Sequence, residues 1–383
     1  QASISNFLSK NNIPFDSFWI NNIISIKNAD EKLVKELRRR SDVERVVFDA
    51  PLIFDAPVST NDAYIPPVNV DAAAEWHVEW VNAPALWRAS GKSGEGVTLA
   101  IADDGVEYKH EALVDAYRGN LGNGNFSHEF NWFDPRGNSK EPRTYGSHGT
   151  HCMGIAAGGK KGRPVGVAPG AKWMACVVAG GVATNFIRCA QFFIAPHDFE
   201  GRNADVTKRP HVVSLSYTGT DSRAEAAINA MVQAGIMFVK SAGNSGPRCN
   251  TITPPGFFKE SMAIAALAPN SNNAASFSSR GPSNNPFKPN YAAPGQSVTS
   301  SIPNNGYGAK SGTSMAAPNF NGVVGLLWSA VPSLARRIEE TRKILAESAL
   351  NQKTNECTPS NTSPNNVFGY GTINALKAYE IAK

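Results

Sequence analysis

Short hydrophobic runs recur along most of the chain and alternate with longer segments of helical periodicity. Five runs are short and rich in apolar residues, as strands buried on both faces are: VTLAIA, KWMACVV, HVVSLSY, IMFVKSAG and SMAIAAL. AEAAINAMVQAG and the segment after position 314 have the spacing of helices. Strands alternating with helices imply right-handed crossovers, so the pattern predicts an α/β fold with a doubly wound, mostly parallel sheet and helices on both faces.

The first part of the chain has a different pattern. FWINNIISIKN and VERVVFD are strand candidates, and ADEKLVKELRRRSD between them is a helix candidate opened by Asp30. On that helix Leu33, Val34 and Leu37 share the face that points toward a core. These elements predict a small β-α-β unit, that is, a small α+β domain preceding the main one.

The segment DAPVSTNDAYIPPVNVDAAA follows this unit and is rich in Pro and Ala, with weak periodicity. We interpret it as a linker. The predicted division is a first domain at 1–57, a linker at 58–74 and the main domain at 75–383.

Composition indicates a globular protein. The chain has 383 residues and 42% hydrophobic content, enough for a sizeable core. No apolar run is long enough to span a bilayer. The net charge is +5, and the one basic cluster, RRR at 38–40, is predicted to be the solvated face of a helix, so we expect no nucleic-acid partner.

Three distant segments place reactive side chains beside glycines or other small residues, where a substrate can approach closely: IADDG (101–105), GSHGTHCMG (146–154) and SGTSMAAP (311–318). A serine needs a base within hydrogen-bond reach and an acid that fixes the tautomer of that base. Ser314, His148 and Asp103 supply this set. Asp103 ends a predicted strand, and Ser314 precedes a predicted buried helix whose positive dipole end would favour an oxyanion.

The order Asp, His, Ser and the three segments resemble the subtilisin-like serine proteases, or subtilases. A fourth match is VKSAGNSG (239–246), where the family carries the oxyanion-binding amide, here Asn244. Further stretches resemble the bacillopeptidase F branch: EWHVEWVNAPALW, PVGVAPGAKWMACVV, RCAQFFIAPHDFEG, RPHVVSLSYTG and NNVFGYGTINALKA. The resemblance covers roughly 75–383 and implies a serine endopeptidase that forms an acyl-enzyme.

For two of the candidate catalytic residues, a nearby residue of the same type is an alternative. Asp104 is adjacent to Asp103, but it occupies the slot where the family usually has Ser or Thr, so Asp103 is preferred. His151 is also present in the family, where it faces away from the serine, so His148 is preferred by motif position.

The resemblance also predicts how a peptide substrate binds, as an extended strand beside SLSYTG with side-chain pockets between it and SAGNSG. The predicted walls are formed by six residues: Ser216, Tyr217, Thr218, Ser241, Ala242 and Gly243. Thr218 stands where the family usually has Gly, and we expect its bulk to narrow the primary pocket.

Five cysteines leave at least one unpaired if the others bridge within the chain. The resemblance implies a disulfide between Cys176 and Cys189, whereas the sequence leaves open whether Cys249 and Cys357 pair. Cys152 lies four residues after His148, one helical turn away, and is interpreted as a small buried residue beneath the imidazole that would confer sensitivity to mercurials. No segment has metal-ligand spacing, so no metal site is predicted and a structural calcium is left open.

Placed before a subtilase, the small first domain resembles the later part of an inhibitory propeptide. We expect residues 1–57 to act as an intramolecular chaperone and inhibitor, with self-cleavage somewhere between positions 50 and 75. The alternative is an appended β-α-β module without a regulatory role. Since QASISNFLSK has neither an initiator Met nor the apolar core of a signal peptide, we expect that a targeting segment was removed or that the sequence begins inside a longer precursor.

The expected protein is therefore a monomeric zymogen, secreted or held in a lytic compartment, whose partners are protein or peptide substrates and its own propeptide. The alternative is a catalytically silent binding or scaffold protein with the same fold. The intact Asp, His, Ser and Asn set favours the enzyme.

Overall fold

The computed structural model describes residues 1–61, 74–160, 163–219, 222–282, 287–358 and 361–383. Its helices in these ranges are α1 Ala2–Lys10, α2 Glu31–Arg38, α3 Trp76–Trp80, α4 Ala83–Ser90, α5 His148–Ala157, α6 Ala183–Ile194, α7 Ser222–Gln233, α8 Thr313–Ala330, α9 Ile338–Ser348 and α10 Ala375–Ala382. Its strands are β1 Phe15–Phe18, β2 Ile23–Ile26, β3 Ile53–Phe54, β4 Ser59–Asn61, β5 Thr98–Asp103, β6 Asn120–Gly122, β7 Asn125–Phe126, β8 Trp132–Phe133, β9 Gly159–Lys160, β10 Arg163–Pro164, β11 Lys172–Val177, β12 Val212–Leu215, β13 Tyr217–Thr218, β14 Met237–Ser241, β15 Met262–Leu267, β16 Tyr291–Pro294, β17 Val298–Ile302 and β18 Gly306–Ser311.

A seven-stranded sheet forms the centre, in the order β16-β15-β14-β12-β5-β11-β8. Each neighbouring pair in it is parallel. All five predicted strands lie in this sheet, and the predicted helices form α7 and α8. The prediction of a doubly wound, mostly parallel α/β fold is confirmed.

The two faces of the sheet bury different clusters. Leu99 and Ile101 of β5 join one cluster with residues of α8 and α5, whereas Ala100 and Ala102 join another with residues of α6 and α7. This alternation follows from the two-residue period of a strand. Helices α5 and α8 pack against each other on the first face, so the segments that follow residues 148 and 313 lie side by side.

The first domain differs from its prediction. Helix α2 forms and is capped as expected, with the Asp30 carboxylate accepting from the Leu33 N–H at 2.7 Å. The predicted β-α-β unit is wrong, however. The first strand candidate contains a turn, because Asn22 adopts a φ of 55° and joins β1 to β2 as an antiparallel hairpin. The second candidate, VERVVFD, forms no strand; its Phe48 is 82% exposed, and none of the described strands pairs with it.

The predicted linker is structured in its described part. Residues Ser59–Asn61 form β4, which pairs antiparallel with β18. The remainder of the described linker is Val58 and Ala74; residues 62–73 of this prediction lie outside the described residues.

Both disulfides form. Cys176–Cys189 joins β11 to α6, which confirms the pairing that the resemblance implied, and Cys249–Cys357 joins two distant loops. Cys152 is unpaired with another cysteine and buried. None of the described helices combines the length and apolarity that crossing a bilayer requires.

Candidate active site

The first two candidate residues meet at one end of the central sheet. Asp103 is the last residue of β5, and His148 is the first residue of α5. The Asp103 carboxylate lies 2.8 Å from His148 Nδ1, and both side chains are buried. A carboxylate at Nδ1 fixes the tautomer in which Nε2 is free to accept a proton.

Asp104 contacts the backbone rather than the imidazole. Its two carboxylate oxygens accept from the N–H of His148 at 3.1 Å and of Gly149 at 2.7 Å, which caps the start of α5. Gly149 is needed there, since a Cβ would lie 2.2 Å from the Gly105 carbonyl oxygen. Burial, together with the neighbouring Asp103 charge, raises the pKa of Asp104 to about 6.

His151 points elsewhere. Its Nε2 lies 3.0 Å from the Gly308 carbonyl of β18, and burial lowers the pKa of its imidazole well below the ordinary range. His148 behaves in the opposite way. Burial alone would lower its pKa, but the Asp103 carboxylate outweighs that effect and raises the pKa well above the usual value.

Ser314 lies in the first turn of α8, where Gly312 is the N-cap. Its Oγ donates to the main-chain carbonyl of Asp55 at 3.2 Å. That carbonyl belongs to residues 50–59, at the junction of the predicted first domain and linker; this stretch runs through the cleft and is called the cleft segment below. The candidate nucleophile therefore faces a peptide carbonyl of its own chain.

Cys152 supports the serine turn. Its Sγ lies 3.6 Å from His148 Nδ1, as the one-turn spacing predicted, and donates to the Ser314 carbonyl at 3.3 Å. Pro318, four residues after Ser314, has no N–H to offer this carbonyl within the helix. The thiol thus takes the place of a missing helical hydrogen bond.

Asn244 reaches the same peptide. Its Nδ2 donates to the carbonyl of Ala56 at 2.8 Å and to that of Asp55 at 3.4 Å. Its Oδ1 accepts from both the N–H and the hydroxyl of Thr313, each at 2.9 Å. Since the amide oxygen is occupied, the NH₂ group is turned into the cleft. Sequence reasoning did not single out Thr313, although it lies beside Ser314 in the SGTS motif.

The N-terminal half of the cleft segment is bound as an added strand. Its Ile53 and Phe54 form β3, antiparallel to β13, and the Leu52 N–H donates to the Gly181 carbonyl at 3.0 Å. The Asp55 N–H donates to the Ser216 carbonyl at 3.2 Å. Three of the predicted wall residues, 216–218, therefore hold this backbone, as a peptide substrate would be held.

The C-terminal half of the cleft segment is held from the other side. The Val58 N–H donates to the Ser311 carbonyl at 2.8 Å, and the following residues form β4 against β18. The peptide bond between Asp55 and Ala56 consequently lies at the centre of the site, with hydrogen-bonded backbone on both sides.

Aromatic contacts surround the residue before this bond. The Phe54 ring packs edge-on against the His148 imidazole, with centroids 4.6 Å apart, and lies 5.1 Å from the Tyr217 ring. Thr218 contacts Ile53, the residue before Phe54, with its hydroxyl 3.4 Å from the Ile53 carbonyl. That Thr218 narrows the primary pocket stays a prediction.

The Asp55 side chain enters a polar pocket. Lys240 Nζ donates to its Oδ2 at 2.5 Å, and the Ser241 hydroxyl donates to the same oxygen at 3.0 Å. Of the remaining predicted wall residues, Ala242 is buried, and the N–H of Gly243 donates to Thr313 Oγ1 at 3.0 Å. Sequence reasoning missed Lys240, although a lysine inside the buried run IMFVKSAG was a signal.

The site also contains a set of groups with the proximity of metal ligands. Asp103, His148 and Cys152 are the one cluster of three or more His, Cys, Asp or Glu ligand atoms in the described parts of the chain. The same three groups already hydrogen bond to one another. This arrangement fits proton transfer by the imidazole.

Several known proteins resemble this chain in sequence. A sequence model described as the subtilase family matches residues 94–371, well over half of the chain. The chain is 33% identical over 383 residues to Bacillopeptidase F of Bacillus subtilis (strain 168), covering 94% of this chain and 26% of that protein. It therefore spans about a quarter of that relative.

Two smaller relatives are covered more completely. The Major intracellular serine protease of Bacillus subtilis (strain 168) is 29% identical over 271 residues, 69% of this chain and 78% of that protein. Thermitase of Thermoactinomyces vulgaris is 30% identical over 271 residues, 70% of this chain and 85% of that protein. From the family match and the parallel sheet together, we conclude that the chain belongs to the subtilase family of serine endopeptidases.

Proposed function

We propose that this chain is a subtilase zymogen that cleaves itself after Asp55 and then hydrolyses other protein or peptide substrates. The observation that carries the proposal is the position of the Asp55 carbonyl, which lies against both Ser314 Oγ and Asn244 Nδ2. A nucleophile and an oxyanion donor thus converge on one peptide group.

The reaction follows acyl transfer. Ser314 Oγ attacks the Asp55 carbonyl carbon and passes its proton to His148 Nε2, while Asp103 holds the imidazolium. Asn244 Nδ2 and the Ser314 N–H stabilise the oxyanion. The bond to Ala56 then breaks, His148 gives the proton to the leaving amine, and a water molecule hydrolyses the ester by the same path in reverse.

In this proposal the first domain is a propeptide that inhibits by occupying the cleft. It packs on the enzyme outside the cleft as well: Asp16 pairs with Arg188 of α6, and the Asp49 carboxylate accepts from the Thr184 hydroxyl at 2.5 Å. Cleavage after Asp55 falls inside the expected 50–75 window and close to the proposed 57/58 boundary. Proposed with it are a main domain at 75–383, a monomeric state, and secretion or storage in a lytic compartment.

The test is maturation of the full chain beside Ser314→Ala. The wild-type chain should yield a new N-terminus at Ala56, and Ser314→Ala should stay uncut. Mixing a trace of mature wild-type enzyme with Ser314→Ala reports whether the bond is also cut between molecules, which controls for misfolding of the variant.

Phenylmethylsulfonyl fluoride followed by intact-mass measurement then reports the state of the mature serine. An adduct on Ser314 supports the proposal. Processing that continues unchanged in Ser314→Ala contradicts it, and the lack of both an adduct and peptide cleavage favours the silent binding protein.

A further inference from the structure

We propose that the primary specificity pocket of this enzyme recognises aspartate, and that Lys240 is the residue that selects it. The inference rests on the proposed function, because it takes the cleft segment as the bound form of a substrate. It goes further by assigning a substrate class: extended peptides cut on the C-terminal side of an aspartate.

The first argument is that the Lys240 ammonium group donates all three of its protons in hydrogen bonds. Lys240 lies in the buried strand β14 and is fully buried. Its Nζ has three protons, and they reach three acceptors: Asp55 Oδ2 at 2.5 Å, Ser241 Oγ at 2.6 Å and the Ser241 carbonyl at 2.7 Å. One of these acceptors belongs to the segment that processing removes.

The second argument is charge. In the described part of the chain, the carboxylate that forms a salt bridge with Lys240 is that of Asp55, whose side chain is only 9% exposed. A buried ammonium without a counter-ion is costly, so once Asp55 has left, the pocket holds an uncompensated cation. A substrate carboxylate restores the pair, whereas an apolar or amide side chain leaves the cation unpaired.

The third argument is size. The Asp55 carboxylate contacts Lys240 and the Ser241 hydroxyl at the same time while its backbone N–H stays bonded to Ser216. Glutamate would carry its carboxylate one methylene deeper, into the space of the Lys240 ammonium. We therefore expect aspartate to be preferred to glutamate.

Contacts of the preceding residues extend the recognised sequence. Phe54 packs on His148 and Tyr217, so an aromatic residue is favoured directly before the aspartate. Leu52 is buried in the cluster that contains residues of α6, which favours a large aliphatic residue three positions before the aspartate. The cleft segment Leu-Ile-Phe-Asp thus provides the probe sequence.

The experiment measures kcat/KM of the mature enzyme on acetyl-Leu-Ile-Phe-X-aminocoumarin peptides with X as Asp, Asn, Glu, Leu or Phe. We expect kcat/KM for the Asp peptide to exceed that for the Asn and Leu peptides by on the order of 100-fold or more. The value for the Glu peptide should lie between that for Asp and those for Asn and Leu. For the Asp peptide alone, kcat/KM should also decline at alkaline pH, because burial lowers the pKa of Lys240 even against the opposing effect of Asp55.

Lys240→Met tests the selecting residue with a side chain of similar length and no charge. This variant should lose the preference for Asp and cleave the Leu peptide better than the wild type does, a gain that a misfolded protein would not show. In the full chain, Asp55→Leu should slow self-processing when Lys240 is present. In the Lys240→Met background, the same substitution should accelerate it.

The outcomes separate the two proposals. If the mature enzyme is active and Ser314 is labelled, but Leu or Phe peptides are cut as well as the Asp peptide, the aspartate pocket is overturned and the peptidase stands. The pocket is likewise overturned if Lys240→Met keeps the Asp preference. If no peptide is cut and Ser314 takes no label, the proposed function itself fails, and the pocket fails with it.

Discussion

At the scale of single residues, the orientation of Asn244 depends on its neighbour in space. An amide can present either its oxygen or its NH₂ group to a cleft. Thr313 removes the ambiguity, since its N–H and hydroxyl both donate to Asn244 Oδ1. Thr313 is therefore a positioning residue. The family resemblance predicted Asn244, but the partner that orients it became visible only in the folded chain.

Replacing Asn244 by Ala should reduce kcat of the mature enzyme by about 10²- to 10³-fold while KM changes little, because the lost hydrogen bond is strongest to the oxyanion. Steady-state kinetics on the Asp peptide measure both constants. Thr313→Ser, which keeps the hydroxyl, is the matched control for Thr313→Val, and only the latter should lower kcat. A rise in KM alone in Asn244→Ala would contradict the oxyanion role.

At the scale of elements, helix α5 presents His148 because it packs closely on β17. Gly154 lies at this contact, where a Cβ would meet the hydroxyls of Ser300 and Ser301 at 2.2 and 2.3 Å. These hydroxyls donate to the carbonyls of His151 and Thr150, each at 2.9 Å. The small residues of HGTHCMG thus set the distance between the helix and the strand.

Gly154→Ala should destabilise the protein by about 1–3 kcal/mol through overpacking, and it should lower activity by displacing His148. Denaturant unfolding of the Ser314→Ala background measures the stability without self-cleavage. Ser300→Ala and Ser301→Ala remove the two hydroxyls that the added methyl group would meet. In that background, Gly154→Ala should lower the free energy of unfolding by less. Strictly additive free energies in this mutant cycle would show that the contact does not limit the packing.

Elements also show where prediction from a sequence fails. The buried strands were predictable because both faces of a parallel strand are apolar, so the run itself carries the signal. VERVVFD has the residues of a strand but no partner among the described strands, and the ladder hydrogen bonds that would make it one are missing. Pairing is a property of two segments, which a single run does not encode.

At the scale of the whole molecule, a segment near the N-terminus reaches the candidate active site of the main domain. It places Phe54 on the His148 imidazole and the Asp55 carbonyl on Ser314, so a peptide bond of the chain itself lies within reach of the proposed nucleophile. In the proposed mechanism, cleavage of that bond depends on the protonation of His148, whose pKa is raised by Asp103 against the effect of burial.

Self-processing should therefore be slow in acid and accelerate as the pH rises past the raised pKa of His148, since only the neutral imidazole accepts the serine proton. The same raised pKa should stabilise the folded full-length chain below about pH 6.5, a contribution that is lost as the pH rises through the folded-state pKa. Intact-mass time courses between about pH 4.5 and 9 measure the rate of release of the first domain.

Asp103→Asn is the control for this profile. It should slow processing by about 10⁴-fold, because it favours the wrong tautomer of His148. It should also lower the pKa of His148, which shifts the acid limb of the pH–rate profile to lower pH. A processing rate that does not vary over this pH range would argue against His148 as the base.

The sequence by itself determined the parallel α/β sheet, the cap of α2 and the segments that bring Asp103, His148 and Ser314 to one end of the sheet. These features depend on local periodicity, on capping chemistry and on motifs in a fixed order, all of which are written along one stretch of chain. Only the tertiary structure decided what fills the cleft. The pairing of Asp55 with Lys240 joins residues 185 positions apart, and burial of that lysine makes the pairing necessary, because a charge removed from water requires a counter-ion.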